Sequence, residues 1–413
     1  MAISGAAGAP WASAADVSDR RVYVLVTDGC RPDEIDSEHT PNLHALRSEG
    51  AWYPNARALP IMETLPNHVM MMTGVRPDRS GVPANKIYDR AEATVRTMDR
   101  PTDIQVPTVI ERLNARGLTT GTVLSKDYLF TIFGDRATYR WEPSPLLPVT
   151  DHAPDRFTYD ALVSMVDEAD PHLVFVNFGD IDRAGHSDLG GAVSLPALRH
   201  AALHNTDRLV GDFVDHLKAK GTWEQSVVIV VADHSMDWSF AHKVISLGSP
   251  IWWDRELRGK VEIAQNGGAD TLYWTGPRAE RAIGLKRLRE LVLEQDGVLS
   301  VHTPAELRLG KRGGDLVAYC KAGWRFSDPT VVHNPIPGNH GHPVTEPIPF
   351  FIGGGSSVVR PGTRTAVART TDIAPTVGAV FGLPDLVGGY PKLGTIDDLA
   401  RDKVSLPKGD YLR

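Results

Sequence analysis

Cysteine is nearly absent. The 413-residue chain carries two, Cys30 and Cys320. That excludes a disulfide framework and a cysteine-based zinc site; one bridge is allowed, and two free thiols are expected. An excess of positive charge is also missing. Lys and Arg number 44 against 51 Asp and Glu, a formal net charge of -7. A protein that grips a nucleic-acid backbone usually shows a basic surface, so no nucleic-acid partner is expected. No apolar run approaches the ~18 residues that suggest a membrane-crossing helix. Internal repeats are lacking. The first residues, "MAISGAAGAPWASAADVSDRR", have no charge before Asp16 and no basic start. Their fading apolar stretch and A-x-A pattern resemble the tail of a signal peptide, which points to export. Residues 1–18 are therefore read as a leader, and 19–413 as the folded part.

What remains is ordinary globular composition, 42% hydrophobic and 23% charged, with ample length for a large core. Apolar, β-rich runs alternate with amphipathic ones. "RRVYVLVTDG", "LTTGTVLS", "HLVFVNFGD", "SVVIVVADH" and "IPFFIGGG" read as strands. "TPNLHALRSEG", "TVIERLNARG", "RFTYDALVSMVDEAD", "LPALRHAALHNTDRLVGDFVDHLKAKG" and "TTDIAPTVGAVFGLP" read as helices with Gly stops or caps. Such alternation implies an α/β fold with a largely parallel sheet covered by helices. The pattern breaks after Met236. "ADTLYWTG", "AERAIGLKRLRELVLEQDG" and "LVAYCKAGWRF" suggest a small α+β insertion at about 242–335.

Three of the strands end in acids: Asp28 in "VTDG", Asp180 and Asp182 in "NFGDIDRAGH", and Asp233 in "VVADH". Each alone reads as a turn cap. In a parallel sheet, however, the loops after the carboxyl ends share one rim. Carboxylates gathered there need a cation between them. His186 and His234 lie beside them, and "IPGNHGHPV" offers His340 and His342 on a loop that returns to the sheet. Asp and His without thiolate suit Zn²⁺, with Mn²⁺ or Fe as alternatives. Asp180 competes with Asp182, and His342 with His340.

"ALPIMETLPNHVMMMTG" puts Thr64 at a strand-to-helix corner. The plain reading is a helix N-cap followed by Pro in the first turn. A hydroxyl at a helix start also sits where an anion is best received.

Taken in order, "DGCRPD", "TLPNHVMMMTG", "GVPANKIYD", "DIDRAGH", "ADHSM" and "NHG" resemble the alkaline phosphatase superfamily. Within it they resemble the nucleotide pyrophosphatase/phosphodiesterase branch. The resemblance implies an alkaline-phosphatase-like three-layer sandwich whose insertion forms a cap. It implies Thr64 as an alkoxide nucleophile passing through a covalent phosphothreonine. It assigns Asp28, Asp233 and His234, with Thr64, to one metal, and Asp182, His186 and His340 to a second. Asn85 would hold a phosphoryl oxygen, together with a backbone N–H near Thr64. Two divalent ions, Zn²⁺ by preference, would stand about 4 Å apart and clamp the attacking and leaving oxygens. The sequence departs from the branch at Ser235, where Gly is usual, and at "HGHP", where animal members carry Tyr after the Gly.

The resemblance implies a small phosphoester substrate, with a nucleotide as one option. A phosphomonoesterase and a phosphonoacetate hydrolase are alternatives on the same scaffold. The first would need an Arg to hold a dianion; Arg76 and Arg183 are candidates. The second rests on Lys126 as a substrate contact, against the plainer reading of a salt-bridged surface lysine. Met70, Met71 and Met72 read as core filler. His68 reads as a structural group under the turn. Trp252 and Trp253 could stack on a base or simply pack. A non-catalytic metal-stabilised module is the alternative of a different class.

Overall fold

The computed structural model describes residues 17–148, 150–187 and 197–384. The leader expected over 1–18 falls outside them but for its last two residues, and with it the export reading.

At the centre stands an eight-stranded sheet. Its order is Gly362–Thr363, Ala51–Trp52, Phe350–Gly353, Ser226–Val231, Arg21–Thr27, Leu173–Phe178, Thr120–Leu124, Tyr139–Trp141. Phe350–Gly353 runs against the others. Arg21–Thr27 lies in the middle, parallel to both neighbours, with Val22 to Thr27 wholly buried. That burial on both faces explains its continuous Val/Tyr/Leu run. Helices cover both sides. Pro41–Glu49, Asp155–Glu168 and Ala197–Lys220 pack together in one layer; Thr64–Thr73, Val109–Asn114 and Ile373–Val380 pack together in the other. The expected α/β three-layer sandwich is what the chain forms.

The strands expected from composition are present. In the central sheet those missed are short: Ala51–Trp52, Tyr139–Trp141 and Gly362–Thr363 hold two or three residues each, too few to show a period; outside it Val261–Asn266, Val298–His302 and the hairpin Lys86–Asp89 with Thr94–Thr97 were also missed. "DIDRAGH", to which the sequence reading assigns no element, makes up most of a helix, Asp180–Ser187. Its acidic first turn suits the helix N-terminus.

Within the segment 242–335, four antiparallel strands form a second sheet, ordered Val261–Asn266, Ala269–Trp274, Leu316–Cys320, Val298–His302. Helix Arg281–Leu293 packs on it over a separate apolar cluster that includes Leu272, Leu288 and Phe326. The hairpin at Gly267 and Gly268 reaches back to the main sheet. A Cβ on Gly268 would lie 2.0 Å from His342 Nδ1, so only glycine allows that approach.

Both cysteines are buried free thiols. Among the described residues, no helix is long and apolar enough to cross a membrane.

Candidate metal centre and its cavities

Because their strands are parallel, Asp28, Lys126, Asp182 and Asp233 all follow carboxyl ends on one rim. The loop carrying His340 and His342 reaches the same rim because Phe350–Gly353 enters the sheet from that side. A bridge between Met62 and Gly341 ties this loop to the residues just before Thr64.

Three groups of side chains converge closely enough to hold a cation: Asp182, His186 and His340; Asp28, Asp182 and His234; and Asp28, His68 and Asp233. The helix Asp180–Ser187 sets Asp182 and His186 one turn apart, with His186 Nε2 3.3 Å from Asp182 Oδ1. Asp180 turns away and pairs with His152 at 3.1 Å. His342 also turns away, its Nε2 2.9 Å from Asp237 Oδ2. Burial opposes charge on His342, but the Cys320 thiol and Asp237 outweigh it and push it up to about 10. Among the described residues the converging groups include Asp182 and His340 and not Asp180 or His342.

The donor atoms are arranged for cations. His186, His234 and His340 each direct Nδ1 at a backbone carbonyl: Gly338 at 2.8 Å, Ser235 at 3.0 Å and Met62 at 3.3 Å. That holds Nδ1 as the N–H and leaves Nε2 as the lone pair turned toward the carboxylates. Burial keeps His234 down at about 4 and, with its histidine neighbours, keeps His340 well below the usual imidazole range. Both are therefore neutral at pH 7, as ligands must be. Asp28 Oδ1, Asp182 Oδ1 and Asp233 Oδ2 are buried with no hydrogen-bond partner among the described residues. Leaving such oxygens bare is costly unless a cation takes them.

Their other oxygens are occupied. Asn177 Nδ2 donates to Asp28 Oδ2 at 2.7 Å, and Asp233 Oδ1 accepts the Gly29 and His234 N–H groups at 3.1 Å each. Lys126 Nζ lies 2.8 Å from Asp28 Oδ2 and 2.7 Å from Asp182 Oδ2. The expected surface lysine is thus 0% exposed and bridges two carboxylates. Burial would raise Asp182, but the Lys126 ammonium holds it well below the usual carboxyl range. Burial and Asp233 raise Asp28. His68 gives Nδ1 to the Thr64 carbonyl at 2.8 Å and accepts from Asn177 at 3.0 Å, so it supports the site from below. Gly29, at φ +70°, passes so close to Asp182 that an added Cβ would sit 3.1 Å from its Cα.

Thr64 opens the helix Thr64–Thr73, and Glu63 holds the N-cap position. The capping reading of Thr64 is therefore overturned. Its Oγ1 lies 3.3 Å from His234 Nε2 instead. Of the backbone N–H groups near Thr64, that of Leu65 donates to Asn85 Oδ1 at 2.8 Å. The Asn85 N–H in turn donates to Glu63 Oε2 at 2.8 Å. These bonds fix Asn85 and leave its Nδ2 without a partner among the described residues.

Two cavities meet at a shared wall of Asn85, Lys86, His186 and His340. One, about 220 Å³, also takes in Thr64, Tyr128 and Arg183. The other, about 190 Å³, takes in Glu63, Gln265 and Asn334. Two larger hollows of about 670 and 690 Å³ hold none of the converging acids and histidines, so size does not mark the site. Trp252 and Trp253 are exposed, the latter 74%, and line neither cavity at the site. Burial raises Glu63 to about 8, against the pull of Asn85 N–H and Lys86.

Asn177, Glu63 and Arg199 were not foreseen. Arg199 is fully buried and bonds Gly29 O at 2.9 Å, Ile181 O at 2.8 Å and Glu34 at 2.6 Å, clamping the turns that carry Asp28 and Asp182. The lone Asn in "LVFVNF" was the available signal, since a buried amide must find partners.

The sequence profile described as Type I phosphodiesterase / nucleotide pyrophosphatase matches residues 22–342. A mouse bis(5'-adenosyl)-triphosphatase is 23% identical over 404 residues, covering 93% of this chain and 81% of that protein. The human protein of that name is 25% identical over 244 residues, covering 56% and 51%. Murine ectonucleotide pyrophosphatase / phosphodiesterase 5, solved as an inactive variant in complex with AMP, superposes with a TM-score of 0.73 at 18% identity. That match covers 91% of this chain and 97% of the other, and it shows the shared fold. With the fold, the rim of acids and histidines and the family profile in agreement, the chain belongs to the Type I phosphodiesterase / nucleotide pyrophosphatase family of the alkaline phosphatase superfamily.

Proposed function

We propose that the protein hydrolyses a small phosphodiester, with Thr64 as nucleophile. The observation that carries this reading is the placement of Thr64 Oγ1 against His234 Nε2, in a cavity that also takes in Asp182, His186 and His340. Asp28, Asp233 and His234 would hold one divalent cation beside Thr64. Asp182, His186 and His340 would hold a second. The orphaned carboxylate oxygens and neutral imidazoles support that fit, and the donor set favours Zn²⁺. When bound, the cations lower the pKa of the Thr64 hydroxyl and offset charge on the departing oxygen.

Thr64 Oγ1 attacks phosphorus as the bond to the leaving oxygen breaks, giving a phosphothreonine diester. Water then attacks phosphorus and returns Thr64 with its proton. Asn85 Nδ2 donates to a non-bridging oxygen, with Asn85 held by Glu63 and by the Leu65 N–H. Two cavities on either side of one wall suit a diester, one substituent in each. A nucleotide substrate is in keeping with the relatives' names. The segment 242–335 acts as a cap, because Gln265, Asn266 and Asn334 contribute to one cavity wall.

A second reading, a phosphomonoesterase, has one observation in its favour. Arg183 lines the Thr64 cavity; among the described residues its Nε makes no hydrogen bond, and it lies 4.0 Å from Asp182 Oδ2. A guanidinium there would suit a dianion.

The test is paired hydrolysis of bis-p-nitrophenyl phosphate and p-nitrophenyl phosphate by the zinc-loaded protein, with Thr64→Ala alongside. Preference for the diester is expected, with kcat reduced at least about 10³-fold in the variant. Preference for the monoester, lost in Arg183→Gln, would establish the second reading instead.

A further inference from the structure

Each acid of the rim divides its two oxygens in the same way. One is bare and faces an imidazole nitrogen; the other is held by the protein. Asp182 Oδ1 lies 3.3 Å from His186 Nε2 and 4.0 Å from His340 Nε2. Asp28 Oδ1 and Asp233 Oδ2 lie 3.8 and 3.3 Å from His234 Nε2. Asp233 Oδ2 is also 3.5 Å from His68 Nδ1, whose hydrogen goes to the Thr64 carbonyl. On the held side, Asp233 Oδ1 takes two backbone N–H groups, and Asp28 Oδ2 takes the Asn177 amide. Asp182 Oδ2 has one hydrogen bond among the described residues, from Lys126 Nζ at 2.7 Å; Arg183 Nε stands off at 4.0 Å. The same ammonium lies 2.8 Å from Asp28 Oδ2.

Lys126 therefore joins an acid of one cation group to an acid of the other. It is 0% exposed and lines neither cavity at the site, so it acts through the acids and not on the substrate. A fixed ammonium against both Oδ2 atoms opposes a second cation there. Asp28 and Asp182 are left one oxygen each to give. Each group then offers three protein donors, with Thr64 Oγ1 beside His234 in one of them. Three protein donors and one further place make a four-coordinate site, as catalytic zinc prefers. A six-coordinate, oxygen-seeking ion gains instead from carboxylates that bind with both oxygens.

We infer that Lys126 is a positioning residue that sets the coordination number of the metal centre: by holding Asp28 and Asp182 to one oxygen each, it favours a four-coordinate ion such as Zn²⁺ over a six-coordinate one such as Mn²⁺. The inference rests on the metal centre of the reading above, not on its nucleophile or its substrate. The hold on the two acids is unequal. Without Lys126, Asp28 keeps its bond from Asn177, whereas Asp182 Oδ2 keeps none among the described residues. The ion at Asp182 is the one that should gain a ligand oxygen.

The test loads the apoprotein with Co²⁺, whose visible absorption is strong at four coordination and weak at six. Zn²⁺ and Mn²⁺ affinities are measured beside it against a competing chelator. Wild type should give the strong absorption. Lys126→Met keeps the length of the side chain and removes its charge. Loss of a nearby positive charge strengthens the binding of all divalent ions alike, so the ratio of affinities is the informative quantity. The preference for Zn²⁺ over Mn²⁺ should fall about tenfold. The cobalt absorption should fall about twofold, as one ion of the two takes a second oxygen from Asp182. Ratio and spectrum both unchanged in Lys126→Met would overturn the inference and leave the metal centre standing. Weak, six-coordinate absorption in wild type would overturn it even were the variant not to fold. Failure of wild type to bind any of the three ions would overturn the metal centre itself, and the reading above with it.

Discussion

Asn177 sits inside the strand Leu173–Phe178 with five apolar neighbours, yet its amide is the busiest group under the site. It donates to Asp28 Oδ2 at 2.7 Å, meets His68 Nε2 at 3.0 Å and accepts from Ser125 Oγ at 2.6 Å. These bonds set the orientation of Asp28 and the tautomer of His68. Asn177→Leu should therefore weaken metal affinity about 10- to 100-fold. Titration of the apoprotein with zinc against a competing chelator measures this. Affinity within twofold of wild type would show that Asp28 holds its position unaided. The converging acids and histidines were legible because the acids followed strand ends, His186 and His234 lay near them, and His340 sat on a loop returning to the sheet. Asn177, Glu63 and Arg199 were not, because their roles depend on contacts across 149, 22 and 165 positions of sequence. No local period or spacing encodes such contacts. Lys126 was misjudged for the same reason: nothing local says that the loop after Thr120–Leu124 turns its ammonium inward between two acids.

At the scale of elements, long strands and helices were legible and the short edge strands were not. The insertion was visible only as a broken rhythm, and its energetics were hidden. Asp270, on Ala269–Trp274, is fully buried, and among the described residues neither carboxylate oxygen has a hydrogen-bond partner. Burial first, then the adjoining Asp328 carboxyl, raises it well above the usual range. A carboxyl raised on folding binds its proton more tightly in the folded state. Its contribution to stability is complete below the unfolded pKa of about 4 and is lost as pH rises through the raised folded value. The second sheet should therefore loosen toward alkaline pH. Asp270→Asn should flatten that dependence and add about 1–3 kcal/mol at its upper end. Calorimetric Tm values across the range would decide; equal slopes in variant and wild type would place the sensitivity elsewhere.

For the whole molecule, the site is a meeting of elements distant in sequence. Three strand ends, a returning loop and a helix start bring three unpartnered carboxylate oxygens together. Arg199 and Lys126 offset part of the cost by tying these turns from beneath. The remainder is repulsion among acids that no side chain relieves, so stability should be linked to cation binding. A cation that binds only the folded state adds about 4 kcal/mol at a thousand times its Kd. A chelator should accordingly lower Tm by several degrees, and zinc should restore it. Thr64→Ala should retain most of that shift, because the acids and imidazoles that hold the ions are intact while the nucleophile is gone. Loss of turnover with the shift preserved would separate the two roles assigned to this rim. A Tm indifferent to chelator and zinc would mean that the carboxylates are relieved by some means other than a cation, and the metal centre would have to be abandoned.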